Sequence, residues 1–290
     1  MPWTLTHSLD DYLATAGGYL RASAVEHTVE LTATETMLAR GLTAFGAEPP
    51  LFGWWTAEPG AGAIAATMFQ TPPYPLLLSG TAEAIGPLAA ALAAWPRTPP
   101  GVNGPGGLVA AFAAAWQDRT GSRWAERRRS RLFALADLAD PRPMPPGSAR
   151  LASPADAGLL RGWLDLFTAE TGEGAGSDEI VADRIGYGGF TLWADGGVPV
   201  ALAGTQRPAA GVVRVGPVFT PREHRRRGYG GAVTAAASRA ALAAGADAVV
   251  LFTDLANPTS NALYPRLGYR PVSDWTALAF SPPATSPAGS

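Results

Sequence analysis

Apolar residues in the second half of the chain recur at two spacings, one typical of helices and one typical of strands. Between Pro154 and Gly172 the spacing is helical, with apolar side chains at Leu159, Leu160, Trp163, Leu164 and Phe167. This pattern predicts an amphipathic helix. Ser153 precedes Pro154 and stands where an N-cap is expected, because proline is favoured at the first helical position.

Helical and strand spacings of apolar residues continue over residues 148–280. Strands are predicted at 149–153, 190–195, 198–207, 211–220, 247–254 and 275–280. Further helices are predicted from Ser177 through Ile185, at 226–245 with a buried face of alanines, Val233 and Leu242, and at 257–269. The order β-α-α-β-β-β-α-β-α-β predicts an α/β fold, a mixed sheet with helices on both faces.

The first half repeats this order in pattern but not in residues. Two helices are predicted within residues 8–41, and strands at 51–58, 63–71 and 75–80. An Ala-rich helix follows, ending near Trp95, then a helix at 105–121 and a strand near 130–138; the basic run 123–131 is interpreted as a solvated helix or strand edge. Residues 1–139 are therefore expected to form either a degenerate copy of the second domain's fold or a helper domain.

Two proline-rich stretches mark the expected limits of the second domain. "DPRPMPPG", residues 140–147, interrupts the apolar pattern and is predicted to be a linker. The tail 281–290 is poor in apolar residues and is expected to be disordered. The sequence thus predicts a first domain at 1–139 and a second at 148–280.

Composition excludes several kinds of site. The chain has 290 residues, a net charge of −2, three histidines and no cysteine. Disulfides, thiolate zinc sites and cysteine nucleophiles are excluded, and no metal site is predicted. No apolar stretch reaches the roughly 20 residues of a membrane helix, and the N-terminus does not resemble a signal peptide. We expect a cytoplasmic protein without membrane or nucleic-acid partners.

A basic, glycine-rich turn, "GPVFTPREHRRRGYGG" at 216–231, joins a predicted strand to a predicted helix. A helix N-terminus leaves about four backbone N–H groups without partners and favours an anion. Gly228 and Gly230 let a large anion approach these amides. The turn is therefore predicted to bind phosphate, but it has neither the Walker pattern nor the dinucleotide fingerprint.

Two motifs together resemble those of the GNAT superfamily of acyl-CoA-dependent N-acetyltransferases. The first is Arg225-x-x-Gly228-x-Gly230, and the second is "NPTSNALYPRLGY", in which Tyr264 follows Asn257 by seven residues. The resemblance covers residues 148–280. It implies a GNAT-like fold for this half of the chain and acetyl-CoA as the acyl donor. Together with the repeated order of elements in the first half, it implies two tandem GNAT-like domains.

The resemblance also implies roles for individual residues. It assigns cofactor binding to Val218, Phe219, Thr220, Arg225, Arg226, Arg227, Gly228, Tyr229, Gly230, Asn257 and Ser260. The main chain of 218–220 would pair with the pantetheine arm, and the amides of 225–230 would hold the pyrophosphate. Tyr264 would protonate the departing thiolate. Gly216-Pro217 agrees with this, because a strand that carries proline tends to part from a neighbour.

The general base is left open by the sequence. Many family members carry a glutamate in the strand before the pyrophosphate turn, but "VRVGPVFT" has none. Glu170 and Glu173, between the first two helices, are candidates that would act through water, and Asp254 is another. Because cysteine is absent, the amine is expected to attack the thioester directly.

The sequence therefore predicts acetyl transfer from acetyl-CoA to an amine of a small molecule or protein, by a monomer or homodimer. The first domain is expected to lack a cofactor site, because "SGTAEAIGPLA" replaces the arginine and paired glycines. A non-catalytic acyl-CoA-binding or regulatory module is the alternative, and a nucleic-acid binder that uses the arginines is a third hypothesis.

Overall fold

The computed structural model describes residues 3–57, 63–172, 174 and 177–283. Its strands are β1 (Thr4–Thr6), β2 (Leu51–Thr56), β3 (Ile64–Gln70), β4 (Leu76–Gly80), β5 (Gly101–Pro105), β6 (Arg123–Leu135), β7 (Ser148–Leu151), β8 (Phe190–Asp195), β9 (Val198–Thr205), β10 (Val212–Phe219), β11 (Ala248–Asp254) and β12 (Tyr269–Ser281). Its α-helices are α1 (Leu9–Ala22), α2 (Thr28–Arg40), α3 (Ile85–Ala93), α4 (Gly106–Thr120), α5 (Ala157–Thr171), α6 (Asp178–Gly186), α7 (Tyr229–Ala243) and α8 (Pro258–Arg266).

The order of elements from β7 to β12 confirms the predicted β-α-α-β-β-β-α-β-α-β sequence. The elements from β1 to β6 repeat the same order. Two strands of the first half, β1 and β5, were not predicted, because each is short and has few apolar residues. The basic run 123–131 belongs to strand β6 rather than to a helix.

The chain divides into two compact units. Unit 1 comprises Met1–Arg131, Asp254–Ala256 and Ser273–Ser290, and unit 2 comprises Leu132–Thr253 and Asn257–Val272. Strands β6 and β12 each contribute residues to both units. The stretch predicted as a linker, 140–147, lies inside unit 2. Of the tail expected to be disordered, Ser281 ends β12, and 284–290 lies outside the described residues.

In unit 1 the strands follow the order β1-β2-β3-β4-β5-β12. The C-terminal part of β12 pairs antiparallel with β5, from Trp275↔Pro105 to Ala279↔Gly101. Apolar side chains of α3 and α4, including Leu88, Phe112 and Trp116, pack into the core of this unit. A strand from the far end of the chain is therefore part of the first unit's sheet.

In unit 2 the order is β11-β10-β9-β8-β7, and β10 pairs parallel with β11 but antiparallel with β9. The two faces of this sheet have separate cores. Helix α7 packs through small residues such as Ala232 and Ala235 on one face, and α5 and α6 pack through residues such as Leu160 and Val181 on the other. The sheet is therefore covered by helices on both faces.

Ser153 caps the start of the α5 segment as predicted, and its backbone N–H and hydroxyl both donate to Asp156. The buried face of α7 differs from the prediction at one position. Val233 is buried, whereas Leu242 is 40% exposed. Ala241, in the same last turn of α7, is buried, so Leu242 lies beside the buried face of the helix and not on it.

Among the described residues, the helices are all too short or too polar to cross a membrane.

Candidate active site

The parallel strands β10 and β11 part in the middle of unit 2. Their paired residues run from Val212↔Ala248 to Val215↔Leu251, while β10 continues to Phe219 and β11 to Asp254. On the other side of β10, the register with β9 shifts between Val215 and Val218. The main chain of β10 after this bulge thus faces an opening along the edge toward β11.

The residues predicted to meet the pantetheine arm lie on this part of β10. Val218 and Thr220 are half-buried, and Phe219 is buried against Trp163. The Phe219 side chain belongs to the core of unit 2. The structure therefore leaves only the main chain of Phe219 for contact with a ligand at this edge.

After β10 the chain turns into α7 through a left-handed backbone. Arg226 and Gly228 have φ angles of 62° and 85°, and these interrupt the helix that the sequence predicted from residue 226. Helix α7 consequently begins at Tyr229, and its first intrahelical hydrogen bond runs from Ala232 N to Gly228 O at 3.1 Å. A left-handed φ is far easier for glycine than for a residue with a Cβ.

The start of α7 presents a row of backbone donors. Because the first intrahelical bond begins at Ala232 N, the amides from Gly228 to Gly231 have no acceptor within the helix. Gly228 has no side-chain cap, and a Cβ at Gly230 would lie 3.4 Å from Thr220 Oγ1. These amides and the positive end of the helix dipole suit an anionic group.

The arginines around this turn are largely paired with carboxylates. Arg225 Nη2 lies 2.6 Å from Glu170 Oε2, and Arg222 Nε lies 3.1 Å from Glu170 Oε1. Arg225 Nε also donates to Thr220 O at 2.8 Å, so it fixes the end of β10. Arg227 Nη2 is 3.7 Å from Asp195 Oδ2. Paired in this way, the arginines surround the turn without filling it.

The candidate bases differ in what the structure shows of them. Glu170 is in contact with two guanidiniums; burial raises its pKa, but the hydrogen bonds and charges of Arg225 and Arg222 outweigh burial, and its pKa is lowered overall. Glu173 lies outside the described residues. Asp254 Oδ1 accepts a hydrogen bond from Ala256 N at 2.8 Å. The contacts of Glu170 favour an electrostatic role over proton abstraction.

Tyr229 and Asn257 have local structural partners. The Tyr229 ring is buried beneath the turn, and its hydroxyl donates to Asp195. Asn257 Oδ1 accepts from Ser260 N at 3.1 Å, so Asn257 caps α8 just before Pro258. The amide of Tyr229 and the side-chain nitrogen of Asn257 are the groups through which each would contact a cofactor.

Tyr264 is buried on α8 beside two other rings. Its ring centroid lies 6.3 Å from that of Phe133 and 5.9 Å from that of Tyr269. Burial raises the pKa of Tyr264 to about 12, and a hydrogen bond with the Ser260 side chain partly offsets this. The hydroxyl therefore keeps its proton at neutral pH, which an acid that protonates a thiolate requires.

The polar groups on the face of β10 toward α6 were not predicted as site residues. Arg214 lies on β10 itself, and Arg184 and Gln206 both reach the carbonyl oxygen of Gly216. The signal available in the sequence was Arg214, a charged residue within the otherwise apolar run "VVRVGPVF".

Comparisons with known proteins agree with this geometry. A family model described as "Acetyltransferase (GNAT) family" matches residues 160–269. No curated protein matches the chain significantly.

Solved structures with a similar fold include an acetyltransferase from the GNAT family of Colwellia psychrerythraea, with 10% identity, a TM-score of 0.62 and coverage of 97% of this chain and 100% of that one. A GCN5-related N-acetyltransferase from Sphaerobacter thermophilus has 17% identity, a TM-score of 0.62 and coverages of 96% and 95%. A tandem GNAT protein from the clavulanic acid biosynthesis pathway has 12% identity, a TM-score of 0.54 and coverages of 98% and 99%. At these identities the likeness establishes the fold, which is that of tandem GNAT proteins.

Proposed function

We propose that this chain transfers an acetyl group from acetyl-CoA directly to an amine, because its residues 160–269 match the GNAT acetyltransferase family model. The observation that carries the proposal is the joint placement of two features in unit 2. Strand β10 continues past its last pairing with β11, and it leads into the free amides at the start of α7. An extended chain that ends in phosphates fits this combination.

The residues of the turn are proposed to hold the phosphates of coenzyme A. The amides from Gly228 to Gly231 donate to the anion, while Gly228 supplies the left-handed turn that aims them. The main chain of residues 218–220 would pair with the pantetheine arm, and Asn257 and Ser260 would contact it from α8. Arg225 and Arg227 add positive charge at the rim of this site.

Acetyl-CoA, when bound, supplies an acetyl thioester. The acceptor nitrogen forms the new N–C bond as the C–S bond breaks, and Tyr264 Oη donates its proton to the departing sulfur. The amine loses one proton to water or to a base, and the same pool returns one proton to Tyr264. The raised pKa of Tyr264 supports its role as the acid.

The general base distinguishes the enzyme from its non-catalytic alternative. Glu170 and Glu173 stay the predicted candidates, but both oxygens of Glu170 are held by guanidiniums. Strand β10 carries no acidic residue. These two observations favour the alternative of a non-catalytic acyl-CoA-binding module more than any other feature does.

We test the proposal by measuring thiol release from acetyl-CoA against a panel of amines, together with the Kd of coenzyme A. Turnover on at least one amine supports the enzyme. Tight coenzyme A binding without turnover on any amine would favour the binding module. Failure to bind coenzyme A would contradict both.

A nucleic-acid function is tested in the same experiment. Glu170 and Asp195 offset part of the positive charge of Arg222, Arg225 and Arg227, which makes the turn a weaker site for a nucleic acid. The proposal therefore expects coenzyme A to be displaced by desulfo or 3′-phosphate analogues but not by an oligonucleotide. We also propose that the protein is cytoplasmic and acts as a monomer or homodimer.

A further inference from the structure

The face of β10 toward α6 carries an arginine cluster that the acetyl-CoA site does not use. The cluster consists of Arg184 on α6, Arg207 just after β9 and Arg214 on β10, all within unit 2. Each of these residues is half-buried.

Arg184 connects the cluster to the bulge in β10. Its Nη1 lies 3.3 Å from the Gly216 carbonyl oxygen, and Gln206 Nε2 lies 3.5 Å from the same oxygen. The guanidinium carbon lies 5.5 Å from the centroid of the Phe190 ring. A group bound at Arg184 would therefore lie beside the position where β10 parts from β11.

Arg207 is held in place but retains an unused donor. Its guanidinium lies 4.4 Å above the Tyr187 ring, and Nη2 is 2.5 Å from Asp183 Oδ1. The Tyr187 hydroxyl donates to Thr205 O at 3.0 Å, which fixes the ring. Arg207 Nε is buried and has no hydrogen-bond partner among the described residues. A buried donor left in this state usually marks a missing acceptor.

The charges in the cluster repel one another. Burial and, second to it, the positive charge of Arg184 together lower the pKa of Arg214 to about 10. Asp183 Oδ1 lies 2.5 Å from Arg207 Nη2 and supplies negative charge at that end of the cluster. Within the described residues Arg207 Nε still lacks an acceptor, so the cluster keeps a donor for a further anionic group.

We propose that this arginine cluster binds a carboxylate of the acceptor, so that the acceptor is an amine of the amino-acid class. The inference rests on the proposed acetyl transfer. A guanidinium offers a planar fork of donors that matches a carboxylate. Because Arg184 touches the bulge carbonyl, a carboxylate bound there leaves an amine one or two bonds away close to the parted strands.

The experiment compares matched acceptors that differ in charge. Amino acids are assayed beside their amides, their decarboxylated amines and an aminoalkyl phosphate, with thiol release as the readout. Binding of the N-acetyl amino acid and of its amide is measured by calorimetry without acetyl-CoA. Arg184→Gln and Arg207→Gln are tested against Arg239→Gln, a control whose arginine pairs with Asp140 on the surface of α7.

The inference expects the amino acid to have a kcat/KM at least about tenfold above that of its amide, since a charged hydrogen bond is worth that much. Arg184→Gln should raise KM for the amino acid while the amide's KM and the Kd of coenzyme A stay unchanged. Arg239→Gln should change neither. The N-acetyl amino acid should bind more tightly than its amide, and this difference should disappear in Arg184→Gln.

Other results overturn the inference in distinct ways. If amides and decarboxylated amines are acetylated as well as amino acids, the carboxylate site is wrong although the acetyltransferase stands. Preference for the aminoalkyl phosphate would also contradict a carboxylate site. An equal rise in KM for every amine in Arg184→Gln would show that Arg184 only supports the bulge. Absence of turnover on all amines, with coenzyme A bound, would contradict the proposed function itself.

Discussion

Arg225 Nη2 lies 2.6 Å from Glu170 Oε2, so the end of α5 is joined to the turn that precedes α7. Arg222 Nε reaches the other oxygen of the same carboxylate at 3.1 Å. Arg225 Nε also donates to Thr220 O at the end of β10. Through these contacts Glu170 fixes the backbone turn whose amides are proposed to bind phosphate, while its own lone pairs are occupied by donors.

We predict that Glu170→Gln lowers kcat by less than about tenfold, whereas loss of a general base costs roughly 100-fold or more. The substitution removes a negative charge beside the proposed phosphate site and weakens the tether of Arg225. We therefore expect Glu170→Gln to change mainly the Kd of coenzyme A and the dependence of that Kd on salt concentration. Steady-state kinetics and coenzyme A titration at two ionic strengths measure both.

A matched control lies on the same helix. Asp165 pairs with Arg161 one turn away, at 3.1 Å, outside the site. Asp165→Asn should leave kcat and the Kd of coenzyme A unchanged. A fall in kcat of more than about 100-fold in Glu170→Gln, with normal coenzyme A binding, would instead make Glu170 the base.

The two ends of α7 provide a test of the anion site. Gly228 and Gly245 both have left-handed φ angles, 85° and 90°, so alanine strains the backbone at either position by about 1 kcal/mol. Only Gly228 adjoins the free amides. Gly228→Ala should weaken coenzyme A binding, whereas Gly245→Ala should lower the Tm by a similar amount and leave binding intact. Equal losses of binding in both variants would count against the amide site.

Tyr264→Phe should lower kcat while the Kd of coenzyme A changes little, because the hydroxyl is proposed to donate a proton and the ring fills the core. Tyr269→Phe is the matched control: it removes a buried hydroxyl that lies 2.7 Å from Ser238 Oγ, and it should leave kcat unchanged. Unchanged turnover in Tyr264→Phe would remove the assigned acid.

The pKa of Tyr264 adds a pH test of the same role. Because burial raises this pKa to about 12, the acid stays protonated throughout the range in which the enzyme can be assayed. The wild-type profile of kcat should therefore show no alkaline loss near pH 10, the usual pKa of tyrosine. A loss of kcat centred near pH 10 that is absent in Tyr264→Phe would contradict the buried, protonated acid.

Local signals in the sequence predicted the elements of residues 148–280 and the turn at Gly228. Apolar period, glycine and proline positions and the Ser153 cap each depend on a few neighbouring residues. Strand β5 was missed because "GVNGP" has only one large apolar residue, and its pairing with β12 joins residues far apart in the chain. The ion pair between Glu170 and Arg225 is likewise a long-range contact. The sequence could therefore place both residues near the site, but it could not show that they bind each other.

The last prediction concerns a buried carboxyl in unit 1. Glu30 on α2 is 1% exposed, and Thr67 Oγ1 donates to its Oε1 at 2.9 Å. Burial raises the pKa of Glu30 from an ordinary 4.5 to about 8, and the Thr67 hydrogen bond offsets only part of this rise. Glu30 is therefore held as the neutral acid in the folded protein at pH 7.

A group whose pKa is higher in the folded protein than in the unfolded chain contributes stability at pH values below its unfolded pKa. As pH rises from about 4.5 to about 8, the unfolded chain releases this proton and the folded protein does not, so the free energy of unfolding falls across that window. Glu30→Gln keeps an acceptor for Thr67 and removes the titration. We expect it to raise the Tm more at pH 8 than at pH 5, while Glu26→Gln, at an exposed position, changes neither. Thermal unfolding at both pH values measures the difference, and an identical pH dependence in Glu30→Gln and wild type would show that Glu30 is ionised in the folded protein.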